Sequence, residues 1–499
     1  MSRETCATPH TLVLPRAVLD AAVARAWPAG AGAAPFLAHG PLVLHSAWGN
    51  TLGLVGPLRS GGFRRDGAGA RAVDGVALLA CMDATAQPPA SPAQWEAWLG
   101  QHAAGFRLAA QSANPVLAVL WLRPDGTSAA SCRVPPGRGP GHSAAGAQWH
   151  PVSSLRLPGA GMQTLALPSS WGGDSSAATA ALSPPLPAAG DESHSVDNDP
   201  ITHGRYSRQA AALGADVLAR LQSSRIAVVG TGRIGSAVAH SLARMGANLL
   251  LLEPDLMEEH NLDGDLPPLH EGRPKVQAMA RYLRGLMRPG AVADARMLPI
   301  ASPAAGALLA DADVVLCCVD NDGARFWANA WALALLKPFA DVATGVHAHG
   351  AEADIRCLPP GTGCLACVGG FAQRGQLLQQ LSQPQPQGTP ADFRQQRRGS
   401  LRSWGQFSAH LGLRLLEQLY TGQLDRALHR RLSETPEGGL QVRDHSPAAP
   451  RLEPPGAAAC PLCGSLLGAG LAAVQPAAVQ ALARAVVALP AAGQNRIGN

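Results

Sequence analysis

The segment "RIAVVGTGRIGSAVAHSLARMGANLLLLEPD" (225–255) constrains the fold of this chain more than any other. An aliphatic run, a glycine turn, a helical period and a second apolar run ending in acid read as a β-α-β unit. Its strands are of the kind buried on both faces of a parallel sheet. Gly230, Gly232 and Gly235 form G-x-G-x-x-G between strand and helix, where glycines let the backbone meet a phosphate at the helix N-terminus. Glu253 closes the second strand, where a carboxylate can hydrogen-bond a ribose hydroxyl. A later run, "ADVVLCCVDN" (312–321), predicts another buried strand with polar residues at its C-terminal end, the ligand side of an open α/β sheet. The fold class is therefore α/β, a Rossmann-like nucleotide-binding domain with a mainly parallel sheet. Taken alone, the glycine motif fits a dehydrogenase equally well.

The rest of the chain divides around this unit. Residues 1–167 are expected to form a smaller α/β domain. Within it "TLVLPRAVLDAAVARAW" (11–27) reads as a strand and an amphipathic helix. "NPVLAVLWLRPDGTSAASCRV" (114–134) reads as two strands joined by a turn. Residues 168–200 are small, polar and Pro-rich, the composition of a flexible linker. The nucleotide-binding domain is expected over 201–470, with a Gln/Pro-rich loop at 372–400, and a helical tail over 471–499. At 46% hydrophobic, 15% charged and a formal net charge of +5, the composition is globular. No basic block interleaved with aromatics points to nucleic acid. No apolar run approaches the ~20 residues of a membrane span. Arg16, Asp20 and Arg25 interrupt any signal-peptide core, so a cytoplasmic protein with reduced thiols is expected.

Of 40 basic residues only two, Lys275 and Lys337, are lysines. A compact ammonium suits some sites better than a broad guanidinium does. Asn261 follows the acidic strand end and Lys275 comes next, in "GRPK". Asp320 and Asn321 end the "VVLCCVDN" strand, with Arg325 and Asn329 on the helix beyond. A nicotinamide has no use for such a set. A nucleoside triphosphate does, because cations neutralise phosphate oxygens and Asp320 can hold Mg²⁺. Cys364 and Cys367 form one C-x-x-C, and Cys460 and Cys463 a second. In a reduced compartment four such thiolates suit a tetrahedral structural Zn²⁺. Cys317 and Cys318 read as core packing.

"RYSRQ" (205–209), "VVGTGRIGS" (228–236), "EPDLMEEHNL" (253–262), "GRPK" (272–275), "CVDN" (318–321) and the paired C-x-x-C motifs occur in that order. The set, covering about 203–465, resembles the ThiF/MoeB/HesA superfamily, relatives of the ubiquitin-activating enzymes. The resemblance implies a homodimeric, zinc-bearing adenylation domain. It would use ATP–Mg²⁺ to turn the C-terminal carboxylate of a ubiquitin-like protein or peptide into an acyl-adenylate. Carried over, Gly230, Gly232 and Gly235 line the nucleotide, Glu253 contacts its ribose, and Asn321 lies beside it. Arg208, Asn261 and Lys275 contact phosphate, and Asp320 holds the metal.

Three departures from the family pattern, and one from a second resemblance, bear on function. Glu253 replaces the usual aspartate. "NLDGD" puts Gly264 where the family carries a phosphate-directed arginine; Arg233, in the glycine loop, is the candidate substitute. The same Gly264 opens the alternative of an inactive nucleotide-binding scaffold, and an NAD-dependent oxidoreductase is the third reading. No cysteine falls between Cys367 and Cys460, where thioester-forming relatives carry their nucleophile, so adenylation without an own-chain thioester is expected. Finally, residues 1–167 faintly resemble JAB/MPN metalloprotease domains, but "LLACMDATAQPPASPAQWEAW" (78–98) has no histidine. That implies a degenerate, non-catalytic domain.

Overall fold

The computed structural model describes residues 11–14, 36–37, 42–48, 51–57, 75–81, 87–102, 116–122, 128–134, 148–152, 154–159, 161–167, 204–258, 272–347, 350–371, 374–382, 401–447 and 460–489. The chain forms two compact units, one drawn mainly from residues before 187 and the other mainly from those after.

In the first unit the described strands make a ten-stranded mixed sheet. Strands Gly75–Cys81 and Val116–Leu122 pair in parallel, with the helix Pro92–His102 between them in sequence. Val116–Leu122 then turns back onto Ser128–Val134, pairing Leu117 with Arg133 and Leu122 with Ser128. This is the hairpin that "RPDG" predicts. Its Ala118, Val119, Leu120 and Trp121 are buried, and Trp95 of the helix stacks on Trp149 with ring centroids 5.6 Å apart. The helix expected after residue 14 and the segment 168–200 lie outside the described residues.

The second unit carries the glycine motif. Its strands are β1 (Arg225–Val229), β2 (Asn248–Leu252), β3 (Ala293–Arg296), β4 (Val314–Cys317), β5 (Phe339–His347), β6 (Gly350–Leu358), β7 (Leu428–Glu434) and β8 (Leu440–Asp444). They form one sheet in the order β3-β2-β1-β4-β5-β6-β7-β8. The first five are parallel, and β6, β7 and β8 follow antiparallel. Ile226–Val229 and Leu249–Leu252 are buried throughout, as strands covered on both faces must be. The helices are α1 (Ser207–Leu213), α2 (Ala215–Ser223), α3 (Arg233–Met245), α4 (Lys275–Arg284), α5 (Pro303–Ala310), α6 (Asp322–Ala334), α7 (Arg374–Ser382), α8 (Arg402–Tyr420), α9 (Pro461–Leu466) and α10 (Pro476–Val487).

The order places a topological switch between β1 and β4: the chain runs outward through β2 and β3, then returns to build β4 and β5 on the other side. Loops at the C-terminal ends of strands flanking such a switch diverge and leave a crevice.

The stretch 372–400 is not a loop throughout. "RGQLLQQLS" forms α7, because Leu377 finds a fully buried position and Gln380 Oε1 accepts from Gly323 N at 2.9 Å. Residues 383–400 lie outside the described residues. In α10, Val479, Ala483 and Val486 bury one stripe, and the helix packs against α7 and α6. Among the described residues no helix is long and apolar enough to cross a membrane.

Candidate functional site

The three motif glycines have three different jobs. Gly230 follows β1 with φ +87°, a conformation that costs side-chain-bearing residues energy. A Cβ there would also meet Cys318 O at 3.0 Å. Gly235, in the first turn of α3, is closer still: an added Cβ would fall 1.9 Å from Gly230 O. Helix and loop can approach this tightly only without a side chain. Gly232, the N-cap of α3, has nothing within 4 Å of its Cβ position. The loop thus offers bare backbone to open space at a helix N-terminus, where amides and the helix dipole favour an anion.

Glu253 is 6% exposed. Its Oε2 accepts from Thr231 N at 2.8 Å, inside the glycine loop, and its Oε1 from Asp255 N at 3.2 Å. Burial pushes this carboxyl up, against the opposing pull of the Lys275 ammonium. Its visible work is to brace the loop, tying the end of β2 to the end of β1.

Lys275 opens α4 and is also 6% exposed. Its backbone N–H donates to Asp255 O at 3.0 Å, and its Nζ reaches Asp255 Oδ2 at 3.4 Å. This is a loose pair with a half-exposed acid. A buried ammonium has three protons to place, and among the described residues this one bond leaves it donor capacity beside the loop.

Asp320 is exposed just past β4, and its Oδ1 accepts from Asn321 Nδ2 at 3.2 Å. Asn321 caps α6, its Oδ1 accepting from Ala324 N at 2.8 Å. Glycine loop, Glu253 and Lys275 therefore meet, and Asp320 and Asn321 follow the strand adjoining β1. Arg233 lies along α8, with Gly405 so close that a Cβ there would fall 2.9 Å from its Cδ. Arg208 is exposed on α1, and no described contact brings it to the loop. Asn261 and Gly264 lie outside the described residues.

Two residues grouped with the pocket in the sequence turn inward instead. Asn329 Oδ1 accepts from Leu365 N at 3.2 Å, anchoring the first C-x-x-C turn. Arg325 pairs with Asp322 at 2.9 Å and Asp341 at 2.8 Å, and donates to Val319 O at 2.9 Å. From Asp341 the charges continue through Arg356 to Asp354, which also accepts from His429 Nε2 at 2.6 Å. His429 Nδ1 in turn lies 2.7 Å from Val368 O, just beyond Cys367. Sequence reasoning missed this chain of buried ions. The available signal was the presence of Asp341, Asp354 and Arg356 in otherwise apolar strands, where lone charges are too costly to bury.

The four cysteines converge. Their sulfurs all lie within 4.8 Å of one another. Cys364 and Cys367 are 3.7 Å apart, Cys364 and Cys460 3.5 Å, and Cys367 and Cys463 3.6 Å. Four thiolates at 2.3 Å from a tetrahedral zinc would stand about 3.8 Å apart, so the donor set fits Zn²⁺ in number, type and spacing. Cys317, Cys318 and Cys357 are buried, and burial pushes all three thiols up, Cys357 to about 12. They pack in the core.

A ThiF family profile matches residues 206–480. The chain is 32% identical over 141 residues to the adenylyltransferase and sulfurtransferase uba4 of Aspergillus niger, a match covering 27% of this chain and 29% of that one. It is 33% identical over 141 residues to the molybdopterin-synthase adenylyltransferase of Escherichia coli, covering 27% and 55%. The chain thus spans from under a third to just over half of the length of these curated relatives. Among solved structures, the crystal structure of E. coli MccB with ATP matches at a TM-score of 0.39 and 17% identity, covering 54% of this chain and 75% of that one.

Proposed function

This chain belongs to the ThiF family, and from that premise we propose that it is an ATP-dependent adenylyltransferase acting on the C-terminal carboxylate of a ubiquitin-like protein or peptide. The observation that carries the reading is Lys275: a buried ammonium with one long hydrogen bond among the described residues, beside a glycine loop with open backbone at a helix N-terminus. An oxidoreductase handling a nicotinamide has no task for that charge. The two curated relatives above are both named adenylyltransferases.

In this reading the loop amides around Gly232 hold phosphate and Lys275 offsets its charge. The ribose lies toward the end of β2, where Glu253 keeps the loop in place. Asp320 would hold Mg²⁺, which supplies further neutralisation of phosphate charge. A substrate carboxylate oxygen attacks the α-phosphorus, the bond to the bridging oxygen breaks, and pyrophosphate leaves with its electron pair. Positioning and electrostatics provide the rate. Arg208 and Asn261 are further phosphate contacts, and Arg233 takes the place of the arginine absent at Gly264. The acyl-adenylate passes to an acceptor without an own-chain thioester, since no cysteine falls between Cys367 and Cys460. The enzyme works as a homodimer in the cytoplasm. Residues 1–167 serve as a non-catalytic binding domain joined by the linker 168–200.

Gly264 favours a second reading, a nucleotide-binding scaffold of the same family without turnover. Calorimetry with ATP–Mg²⁺ and with NAD⁺, on wild type and Lys275→Ala, tests the site. ATP should bind and the variant should weaken it roughly ten- to hundredfold, the worth of a charge-assisted contact. Binding of NAD⁺ alone, indifferent to the variant, would sink the assignment. Pyrophosphate exchange with a candidate carboxylate then separates enzyme from scaffold.

A further inference from the structure

From the first residues of β1 and β2 up to Arg273, just before Lys275, helix α4 and edge strand β3 border a cavity of about 920 Å³. Its walls carry Arg225, Arg273, Arg281 and Arg284 against one acid, Asp294. That acid is already committed, to Arg225 at 2.6 Å and Arg296 at 2.7 Å. Gln277, Arg281 and Arg284 follow one exposed face of α4, with Arg273 just before its start. Among the described residues Arg273, Arg281 and Arg284 form no ion pair.

The facing wall is a strand with an open edge. Among the described residues β3 pairs with β2 alone. Leu249 N donates to Val292 O at 2.8 Å and Glu253 N to Arg296 O at 3.3 Å. In a parallel ladder alternate residues turn their backbone groups to the same neighbour. Ala293 and Ala295 therefore present their N–H and C=O away from β2. Charged side chains often guard such edges, but a guard sits on the strand itself. The two charges on β3, Asp294 and Arg296, are paired with each other at 2.7 Å, the positions that open away from β2 are alanines, and Arg273, Arg281 and Arg284 stand across the cavity.

We propose that this groove takes an extended acidic peptide segment of a partner protein, which adds a strand to β3 and sets its carboxylates against Arg273, Arg281 and Arg284. Main-chain pairing supplies affinity in such additions, and alternate side chains supply selectivity. Carboxylates at every second position of a strand recur at about 7 Å, and from Gln277 to Arg284 the helix rises about 10 Å. Two acids therefore fall within reach of the arginine stripe, whose guanidinium forks suit carboxylates. The lining holds no aromatic ring on which a nucleic-acid base could stack.

The test uses the full chain and a fluorescein-labelled Val-Glu-Val-Glu-Val-Glu peptide, with the Gln-for-Glu peptide and a single-stranded oligonucleotide as controls. Anisotropy should show the acidic peptide binding at least tenfold tighter than either control. Arg281→Glu combined with Arg284→Glu, both exposed positions, should lose at least tenfold while ATP binding is unchanged. Hydrogen exchange on wild type should show the Ala293 and Ala295 amides gaining protection when peptide is added. No binding, indifference to the double charge reversal, an oligonucleotide bound as tightly, or unprotected Ala293 and Ala295 amides would each overturn the proposal.

Discussion

The two lysines do opposite kinds of work. Lys337 Nζ donates to Ala310 O at 2.7 Å, satisfying the last carbonyl of α5 with a positive charge at a helix C-terminus. Lys275, similarly buried, makes among the described residues one long contact to Asp255 and faces the buried Glu253 carboxyl. Lys337→Ala should cost about 1–2 kcal/mol of stability and leave ATP binding as it is. Lys275→Ala should cost binding, with a smaller loss of stability than Lys337→Ala, because its hydrogen bond to Asp255 is long and made to a half-exposed acid. Denaturant melts and nucleotide titrations on both variants check the pair. If the two variants behave alike, the division between structural and functional lysine is wrong.

At the scale of elements, the buried ion chain decides how rigidly the site is held. Arg325 grips Val319 O and Asp322 on either side of Asp320 and Asn321, and Asp341 on β5 holds Arg325. Asp341 is fully buried between Arg325 and Arg356, both also buried. Asp341→Ala should cost about 3–5 kcal/mol, because two buried guanidinium groups each lose one of their two carboxylate partners in the core. A loss below 1 kcal/mol in a urea melt would mean that water or relaxation already compensates them. Asp354 adds a pH dependence. Burial pushes its carboxyl up, but the His429 hydrogen bond and the Arg356 charge outweigh this and hold it well below the usual carboxylate range. A carboxyl depressed in the folded state stabilises fully above its unfolded value of about 3.9, and the gain is lost as pH falls from there through the folded value. Melting temperatures of wild type should therefore fall more steeply below pH 4 than those of Asp354→Asn, the two curves converging in acid. Parallel curves would show that Asp354 titrates alike in both states.

At the scale of the whole molecule, what was legible in the sequence follows from interaction range. The β-α-β unit and the "RPDG" hairpin are local patterns, in which period and turn chemistry agree, and both stand where the sequence puts them. The ion chain draws on residues from 322 to 429, and nothing local marks Asp341 as the partner of Arg325. The inward turn of Asn329 was hidden for the same reason, since its partner Leu365 lies 36 positions away. Short Gln-rich text around Leu377 gave no sign that α7 would form, because its reason for folding is the burial available beside α6. The cysteine quartet is the exception, a long-range contact readable from spacing because metal chemistry admits few alternatives. It joins turns 96 residues apart. One turn is anchored on α6 through Asn329 and tied to the ion chain through Val368 and His429. Removing the ion should therefore loosen more than the cysteines. The purified protein should carry one zinc per second unit by elemental analysis, and a strong chelator should lower its melting temperature by roughly 10 °C, as loss of a few kcal/mol does for a unit of this size. Cys463→Ser should do the same without chelator. A metal-free protein that melts as the zinc-loaded one does would reduce the quartet to four thiols that happen to meet.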